Sequence, residues 1–365
     1  MSEWQTFCLK DLGKIVGGAT PSTNNPKNYG NKIAWITPKD LSTLQGRYIK
    51  KGSRSISRLG FKSCSCVLLP KHTILFSSRA PIGYVAIAKK RLCTNQGFKS
   101  IIPNKKIYFE FLYYLLKYHK DNISNIGGGT TFKEVSGATL GLFKVKIPPT
   151  YYEQQKIART LSVLDQKIEN NHKINELLHT LAYKIYEYYF KYKPKNAKLE
   201  QIIIENPKSS IMVKNAQKTQ DKYPFFTSGD NTLSYPKAII DGRNCFLNTG
   251  GNAGIKFYVG KASYSTDTWC ICANEFSDYL YLLLSSIKNH INQSFFQGTS
   301  LKHLQKNLLK KYPIYMPSAH EIKKFNQMIM PLLTLISINT RTSKKLEQIR
   351  DFLLPLLLKQ QVKPE

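Results

Sequence analysis

The feature that most constrains this chain is a long helical pattern that occurs twice. Between residues 153 and 192 the sequence has no glycine or proline, and apolar side chains recur in alternating steps of four and three. Because heptad spacing places such side chains on one helix face, the segment predicts a coiled-coil helix of about 40 residues, about 60 Å long. The positions of this seam are Ile157, Leu161, Leu164, Ile168, Asn171, Asn175, Leu178, Ala182, Ile185 and Tyr189.

A second seam lies 168 residues further along the chain. It comprises Phe325, Ile329, Leu332, Ile336, Asn339, Ser343, Leu346, Arg350, Leu353 and Leu357. Both seams are polar at their centre, so the two helices match best when they run antiparallel, and buried Asn residues then fix register or orientation. The alternative is that each helix packs only on its own domain. Pro331 should kink the second helix or mark its true start just upstream.

A region of β-branched and aromatic runs, broken by Gly, Asn and Pro turns, precedes each long helix. The runs are 32–37, 66–70, 73–76, 84–88 and 142–148 in the first region, and 238–240, 244–248, 256–259 and 269–272 in the second. A short helix is predicted late in each, at 109–118 and 279–287. The fold prediction is α+β, an internal tandem repeat with pseudo-twofold symmetry. Its parts are a first domain at 1–150, long helix 1 at 151–193, a second domain at 194–317 and long helix 2 at 318–365.

The charge balance indicates a polyanionic partner. The chain has 54 Lys and Arg against 23 Asp and Glu, a net charge of +31, while 42% of its residues are hydrophobic, which is too apolar for a disordered polycation. Compositional bias toward lysine, membrane-surface binding and an ordinary soluble surface are the alternatives. Scarce acids disfavour the first, and basic residues spread along the whole chain disfavour the second. Nucleic acid is therefore the favoured partner.

Catalytic and metal-binding patterns are missing from the sequence. It contains no phosphate-binding loop of the G-x-x-x-x-G-K-[ST] type, its histidines form no ligand cluster, and its acids are few and unclustered. Seven cysteines include the pairs Cys64/Cys66 and Cys270/Cys272, which we expect to pack on strand faces as small hydrophobes. No metal site is predicted. Without a signal sequence or an apolar run that could cross a bilayer, the expected location is the cytoplasm.

Polar loops, glycine-rich in part, are the candidates for contact with nucleic acid. Glycine allows close backbone approach, while Arg, Asn and Gln suit base edges and hydroxyl and Lys side chains suit phosphate oxygens. The candidates in the first domain are Thr20, Ser22, Lys39, Ser77, Ser78, Arg79, Asn95, Gln96, Thr130, Thr131 and Lys133. Those in the second domain are Thr227, Ser228, Asn231, Asn248, Asn252, Thr266, Thr268, Thr299, Ser300 and Lys302.

Several motifs resemble the specificity (S) subunit of Type I restriction-modification systems, over essentially the full chain. They are Gly18-Ala-Thr-Pro-Ser22, Trp35-Ile-Thr-Pro-Lys-Asp-Leu41, Ser77-Ser-Arg-Ala-Pro-Ile-Gly-Tyr84, Thr94-Asn-Gln-Gly-Phe98, Gly129-Thr-Thr-Phe-Lys133, and Ile147-Pro-Pro followed by Glu153-Gln-Gln-Lys-Ile-Ala158. The second half departs from the first, with Gly251-Asn-Ala-Gly254 in place of Ala-Pro-Ile-Gly and Ser318-Ala-His-Glu-Ile-Lys-Lys-Phe325 in place of the Glu-Gln-Gln-Lys-Ile segment.

The resemblance implies two target-recognition domains that each read one part of a bipartite duplex DNA sequence. It also implies that the long helices act as a ruler and as a platform for two modification (methyltransferase) subunits, and that a motor-nuclease restriction subunit joins for cleavage. This chain would then bind no cofactor. S-adenosylmethionine would belong to the modification subunits, and ATP with Mg²⁺ to the restriction subunit.

The hypothesis from the sequence is a non-catalytic DNA reader and scaffold within a host-defence and DNA-methylation system. The rival from another class is a coiled-coil adaptor or RNA-binding protein. A self-sufficient nuclease or methyltransferase is the third, and the missing motifs argue against it.

Overall fold

A computed structural model describes residues 3–129, 133–216 and 222–364 of the chain. The molecule divides into two compact units, one formed by residues 1–170 with 343–365 and the other by residues 171–342. Both boundaries fall inside the long helices. Each unit therefore combines one globular domain with part of each long helix.

The two long helices lie where the heptad seams predict them. Long helix 1 is Tyr151–Tyr186, followed by a π-helical turn at Glu187–Lys191, and long helix 2 is Ala319–Leu358. Long helix 2 continues through Pro331, so the alternative that this proline marks the start of the helix is wrong. Its first turn begins instead at a capping arrangement in which Glu321 accepts from the backbone N–H and the hydroxyl of Ser318.

The seam residues are the buried face of both helices. Those that are buried are Ile157, Leu161, Ile168, Asn171, Ala182, Phe325, Ile329, Ile336, Ser343 and Leu357. The other seam positions are partly buried, and none of them is exposed. Burial of this one face is what stabilises each helix in water, since its intrinsic helix propensity alone contributes little.

Contacts within the second unit show that the helices run antiparallel. Asn339 Nδ2 donates to Asn175 Oδ1 at 3.0 Å, and an ion pair joins Lys193 to Glu321. From the first contact to the second, the residue number rises by 193 − 175 = 18 on the side of long helix 1. On long helix 2 it falls by 339 − 321 = 18. The predicted antiparallel pairing and its polar centre are confirmed.

The first unit repeats this pairing at the other ends of the two helices. Arg350 Nη1 donates to Asp165 Oδ1 at 2.6 Å. Ile157 and Leu161 from long helix 1 share a hydrophobic core with Leu354 and Leu357 from long helix 2. The start of one helix and the end of the other therefore pack on the first domain.

Within its described residues, the first domain contains three small sheets and several short helices. Its sheets, in spatial order, are Gly13–Gly17, Lys99–Pro103, Ile74–Phe76, Val85–Ala88 and Tyr48–Ile49; Arg54–Ile56, Tyr29–Ile36 and Cys93–Thr94; and Gln5–Cys8 with Lys144–Ile147. Its helices are Leu9–Leu12, Pro38–Ser42, Arg58–Lys62, Phe109–Asn125 and Gly137–Leu142, with a 3-10 turn at Pro26–Asn28. The longest of them, Phe109–Asn125, is hereafter short helix 1, and it buries Phe111, Leu112 and Leu115 in the core.

The second domain has the corresponding parts. Its sheets, in spatial order, are Ile204–Glu205, Thr268–Cys272, Arg243–Asn248 and Ile255–Val259; Thr232–Tyr235, Tyr223–Phe226 and Ser263–Tyr264; Ala197–Lys198 with Pro313–Ile314; and Phe296–Gln297 with His303–Leu304. Its helices are Val213–Ala216, Ser277–Ser286, Lys288–Ser294 and Lys306–Lys310, with 3-10 turns at Leu199–Gln201 and Asn274–Phe276. The helix Ser277–Ser286, hereafter short helix 2, buries Leu280, Leu283 and Leu284.

Strand pairing shows the repeat directly. In the three-stranded sheet of each domain, a central strand has one antiparallel neighbour and one parallel neighbour. The parallel pairs join Trp35 to Cys93 in the first domain and Phe225 to Ser263 in the second. The predicted tandem α+β architecture is therefore confirmed.

Two predicted strands are wrong. Residues 66–70 and 238–240 form only isolated bridges, Leu69 with Leu92 and Ile240 with Ala262. Cys64 and Cys66 therefore do not share a strand face, and Cys66 Sγ donates to the carbonyl oxygen of Ala19 at 3.1 Å. By contrast, Cys270 and Cys272 do lie in one strand.

Candidate nucleic-acid interface

Backbone hydrogen bonds gather the candidate loops of the first domain into one surface. Ala19 N donates to Thr94 O at 3.0 Å, and the hydroxyl of Thr20 bonds to the side chain of Gln96. Ser78 N donates to Gly97 O at 2.8 Å. The loops at 18–22, 77–83 and 94–97 therefore lie side by side, although they are far apart in sequence.

The loops at 37–40 and 133–135 join the same surface. A Cβ on Gly97 would lie 2.9 Å from Pro38 Cγ, which places the helix bearing the exposed Lys39 against this turn. Val135 N donates to Ser78 O at 3.0 Å. Thr130 and Thr131 lie outside the described residues, and Lys133, which follows them, is exposed.

A small ion cluster lies among these loops. Arg79 Nη1 is 3.4 Å from Glu134 Oε2, and Lys99 Nζ is 3.0 Å from Glu134 Oε1. Each of the three side chains keeps part of its surface in solvent, with Arg79 37% exposed. One carboxylate thus positions two cations at the edge of a polar loop surface, as suits recognition of phosphates and base edges.

Two candidates of this domain are buried and shape the loop instead. Ser77 Oγ donates to Pro81 O at 2.7 Å and accepts from Tyr84 N at 2.8 Å, which holds the turn closed. Ser78 is buried as well, and its hydroxyl has no hydrogen-bond partner within the described part of the chain. Thr20, Ser22, Asn95 and Gln96 keep surface in contact with solvent.

The second domain gathers its candidate loops in the same way. Thr249 N donates to Ser228 Oγ at 3.1 Å and Thr249 Oγ1 donates to Asp267 O at 2.7 Å. Leu304 N donates to Thr249 O at 2.9 Å. These bonds unite the loops at 227–231, 248–254, 265–268 and 297–304. The bond between Leu304 and Thr249 matches the bond between Val135 and Ser78 in the first domain.

Among the second-domain candidates, exposure again separates two groups. Thr227, Asn248 and Thr268 are buried and hydrogen-bonded within the loops. Asn231, Asn252, Thr299, Ser300 and Lys302 are exposed, while Ser228 and Thr266 are partly buried. The exposed group can contact a ligand without any rearrangement. Contact of each candidate with DNA stays a prediction.

Lys256 lies between two of these loops and was not among the sequence candidates. Its Nζ donates to Thr227 O at 2.8 Å and to Asn248 Oδ1 at 2.9 Å. Burial lowers the pKa of Lys256 to about 8. Lys256 lies in the strand Ile255–Val259, and no local pattern in the sequence indicates its two hydrogen bonds. Their acceptors lie 29 and 8 positions before it in the chain.

Arg54 and Lys99 are further basic side chains that the sequence did not single out. The guanidinium of Arg54 lies over the ring of Tyr29, 4.0 Å from the ring centroid, and Tyr29 OH donates to Pro21 O at 2.9 Å. Arg54 is exposed and therefore adds a cation beside the loop at 18–22. Pairing of the strand Tyr29–Ile36 with the strand Arg54–Ile56 brings the two side chains together. The spacing of residues in the sequence does not predict this contact.

Within the described ranges, no group of three or more His, Cys, Asp or Glu side chains could hold a metal ion. The helices of that same portion of the chain include none that is long and apolar enough to span a bilayer. All seven cysteines are free thiols.

Two domains with equivalent polar loop surfaces, carried by an antiparallel helix pair and a strongly basic chain, define a two-domain nucleic-acid-binding protein. Comparison with known proteins identifies the family to which the chain belongs. The family model described as "Type I restriction modification DNA specificity domain" matches residues 1–180 and 195–348. The chain belongs to this family, the specificity subunits of Type I restriction-modification systems.

Individual relatives support the same assignment. The Type I restriction enzyme MjaIX specificity subunit of Methanocaldococcus jannaschii is 33% identical over 98% of this chain and 93% of its own length. The putative MjaX specificity subunit of that organism is 39% identical over 47% of this chain and 38% of its own length. The crystal structure of the S subunit from M. genitalium shares the fold, with a TM-score of 0.64 at 19% identity, covering 98% of this chain and 96% of that one.

Membership makes the chain a DNA-specificity subunit that is not itself catalytic. The comparisons give no support to the alternative of a coiled-coil adaptor or RNA-binding protein.

Proposed function

We propose that this chain reads a bipartite duplex DNA target, one part with the loop surface of each domain, and holds two methyltransferase subunits beside that DNA. A restriction subunit joins this assembly for cleavage, and the assembly works in the cytoplasm. S-adenosylmethionine is bound by the methyltransferase subunits, and ATP with Mg²⁺ by the restriction subunit. The chain itself contributes recognition and positioning.

The observation that supports bipartite reading is the repetition of one loop surface in two domains. Each surface is held by the same backbone bond, Val135 N to Ser78 O in the first domain and Leu304 N to Thr249 O in the second. The exposed side chains on the two surfaces differ, with Arg79 and Gln96 on one and Asn231 and Asn252 on the other. Different side chains on a shared framework suit two different half-sites.

An outer apolar stripe on long helix 1 supports the proposed subunit contacts. Within the second unit, Ile174, Leu177, Leu181 and Tyr188 are 41%, 71%, 48% and 85% exposed. They recur in steps of three, four and seven, and each directly precedes a seam position, so they lie along one helix face beside the buried seam. A row of large exposed apolar side chains on a helix marks a protein-docking surface. We assign it to a methyltransferase subunit.

Region exchange tests the proposal. Replacing residues 1–150 with the same region of a relative of different specificity should change one half of the methylated sequence and leave the other half intact. Replacing residues 194–317 should do the reverse, which makes each chimera the control for the other. Genome-wide methylation mapping in cells that express the partner subunits gives the readout. Changes in both halves, or in neither, would refute the modular assignment.

A further inference from the structure

A buried ionic cluster attaches the first domain to long helix 1. Arg47, only 4% exposed, lies 3.2 Å through Nη1 from Glu110 Oε1 on short helix 1. Its Nε lies 3.2 Å from Glu169 Oε1 on long helix 1, and its backbone N donates to the same oxygen at 2.9 Å. One arginine therefore ties a domain loop to two helices. We call Arg47, Glu110, Asp165 and Glu169 the first joint.

Asp165 extends this joint by one further layer. Its Oδ2 accepts from the hydroxyl of Tyr114 on short helix 1 at 2.5 Å, and its Oδ1 accepts from Arg350 Nη1 at 2.6 Å. Asp165 is 6% exposed and Arg350 is 12% exposed. Since buried charges are tolerated only in good geometry with satisfied partners, the cluster holds these elements at one angle.

The second unit contains an equivalent attachment, between the second domain and long helix 2. The guanidinium of Arg243 pairs through two nitrogens with the carboxylate of Asp278 on short helix 2. Its Nη1 donates to Thr334 Oγ1 at 3.0 Å, and Val259 N donates to Ser337 Oγ at 3.0 Å. We call Arg243, Asp278, Thr334 and Ser337 the second joint.

The hydrogen-bond acceptors of the two joints occupy equivalent positions in the 168-residue repeat. The acid on the short helix recurs, since 110 + 168 = 278, and so does the acceptor on the long helix, since 169 + 168 = 337. Each long-helix acceptor receives a backbone N–H that lies beside a glycine with positive φ, Gly46 at 116° or Gly260 at 123°.

The arginines do not follow the repeat. Position 47 + 168 = 215 is Asn, and position 243 − 168 = 75 is Leu. The two equivalent helix positions are thus engaged in both joints, although by different donors. Arg47 binds both acceptors in the first joint. In the second joint Arg243 binds Asp278, while Ser337 accepts from the backbone N–H of Val259. This recurrence indicates that the attachment itself, and not one particular salt bridge, is what the fold retains.

A directional attachment differs in its effect from apolar packing. Apolar side chains at a helix interface can shift with little change in the area that they bury, whereas a charge pair with two or three fixed hydrogen bonds holds one orientation. A protein that must present two recognition surfaces to one duplex needs each surface at a defined angle, because half-site spacing is a geometric requirement.

We infer that the two joints are positioning elements that fix the angle between each recognition domain and the long helix that it contacts, and thereby restrict the spacer between half-sites. This inference rests on the proposed function and deepens it. The joint residues are distinct from the loop candidates, so they affect spacing without reading bases.

The test uses the full chain in complex with its methyltransferase subunits and duplexes that carry the target defined by methylation mapping. Spacer length is varied by one and two base pairs in either direction, and single half-sites are measured in parallel. The variants are Glu169→Ala, the milder Glu169→Gln, and Ser337→Ala, which removes one hydroxyl. Glu176→Ala, an exposed acid on the same long helix, is the matched control.

Glu169→Ala and Ser337→Ala should leave base preference at each half-site unchanged while the preference for the best spacer over its neighbours falls about tenfold. Glu169→Gln, which keeps an acceptor for the backbone N–H of Arg47, should show a smaller loss. A lowered melting temperature with an unchanged spacer profile would reduce the joints to a structural role and overturn the inference. Altered base preference would overturn it as well.

Failure of the proposed function itself would give a different binding result. If the wild-type complex bound a bipartite duplex no more tightly than a single half-site, the bipartite assignment and the inference would both fall. If the wild type showed a sharp spacer profile that every joint variant preserved, only the inference would fall.

Discussion

At the scale of single residues, the side chains of the candidate interface form two groups, one buried and one exposed, which have different roles. Buried hydroxyl and amide groups such as Ser77, Thr227 and Asn248 bond inside the loops, where an unpaired polar atom would cost free energy. Exposed side chains such as Gln96 and Asn252 remain open to a ligand. Substitution of the first group should damage the loop, and substitution of the second should change recognition.

Glu134 is the residue whose charge most directly controls the first surface. Replacing it by Gln removes the carboxylate that holds Arg79 and Lys99. Discrimination at the base pair nearest Arg79 should fall about tenfold, within the roughly 1–3 kcal/mol that a well-oriented bidentate arginine contributes. Non-specific affinity should hold or rise, because one negative charge is lost. Competition binding against single-base variants of the target measures both quantities.

The control for this prediction is Asp121→Asn, which removes an exposed acid of short helix 1 that is not part of the ion cluster of Arg79 and Lys99. It should raise specific and non-specific affinity equally. An equal change in both affinities for Glu134→Gln would mean that Glu134 acts only as a repulsive charge.

Lys256 makes the second surface sensitive to pH. With its pKa at about 8, the side chain loses its proton between pH 7 and 9, which weakens its charge-assisted bonds to Thr227 and Asn248. Asp230 and Lys288 are the charged groups that act on it. Affinity for the second half-site should therefore fall over this range. Lys256→Met should bind more weakly at pH 7 and show a flatter pH profile, whereas the exposed Lys261→Met should follow the wild type.

Stability should move in the opposite direction for this group. Its pKa is lower in the folded chain than the value near 10.4 of an exposed lysine, so between about pH 8 and 10 the unfolded chain binds more protons. The contribution of Lys256 to folding stability therefore increases as the pH rises through that window. Parallel measurement of melting temperature separates this effect from the loss of DNA affinity. A half-site affinity that did not change with pH would refute the assigned role.

At the scale of elements, the long helices were predictable and part of the sheet structure was not. Heptad spacing is a local signal that repeats over ten positions and predicted the seam, while the polar centre of both seams predicted the antiparallel order. Residues 66–70 have the composition of a strand, but their backbone forms only the bridge between Leu69 and Leu92, and Cys66 packs against the loop at 18–22. Such long-range pairing leaves no periodic mark in the sequence.

The same lack of a local sequence pattern explains why some side chains of the candidate interface were not predicted. Glycine and polar side chains located the loops, whereas the contacts of Glu134, Lys256 and Arg54 join residues brought together only by the sheets. Sequence patterns therefore predicted which loops form the candidate surface, and the fold was needed to show which side chains lie on it.

The polar centre of the helix pair provides a prediction for the elements. Asn339 Nδ2 donates to Asn175 Oδ1, so Asn175→Leu alone leaves a partly buried amide without its partner and should destabilise the chain by about 1–3 kcal/mol. The double substitution Asn175→Leu with Asn339→Leu should be more stable than either single variant. Denaturant unfolding of all four proteins gives the coupling free energy.

Greater stability of the double variant should come with a loss of specificity in pairing. A partly buried Asn pair penalises shifted and parallel arrangements, and two leucines do not. Analytical ultracentrifugation should then detect a larger share of higher oligomers in the double variant than in the wild type. Strictly additive single effects would show that the two amides do not act as a pair.

At the scale of the whole molecule, the net charge of +31 is shared by two units that each carry a candidate loop surface. The sequence alone suggested a polyanion without saying where it would lie. Exposed cations on the long helices, such as Lys167 and Lys345, form a group distinct from the cations of the candidate loops. These two groups should differ in how they respond to salt, because phosphate contacts release counterions whatever the base sequence.

The wild-type chain should bind any duplex with a steep salt dependence, losing roughly 10³ to 10⁵ in affinity between 50 and 200 mM salt if it neutralises about 6–10 phosphates. Substituting Lys167→Gln and Lys345→Gln should weaken specific and non-specific binding alike and reduce the slope of log K against log salt by about one for each phosphate that is no longer neutralised. Lys195→Gln, an exposed lysine just beyond long helix 1, is the matched control. Fluorescence anisotropy with target and random duplexes gives both slopes. If the slope stayed the same while base discrimination changed, these helix lysines would belong to recognition, and the division of charge between helices and loops would be wrong.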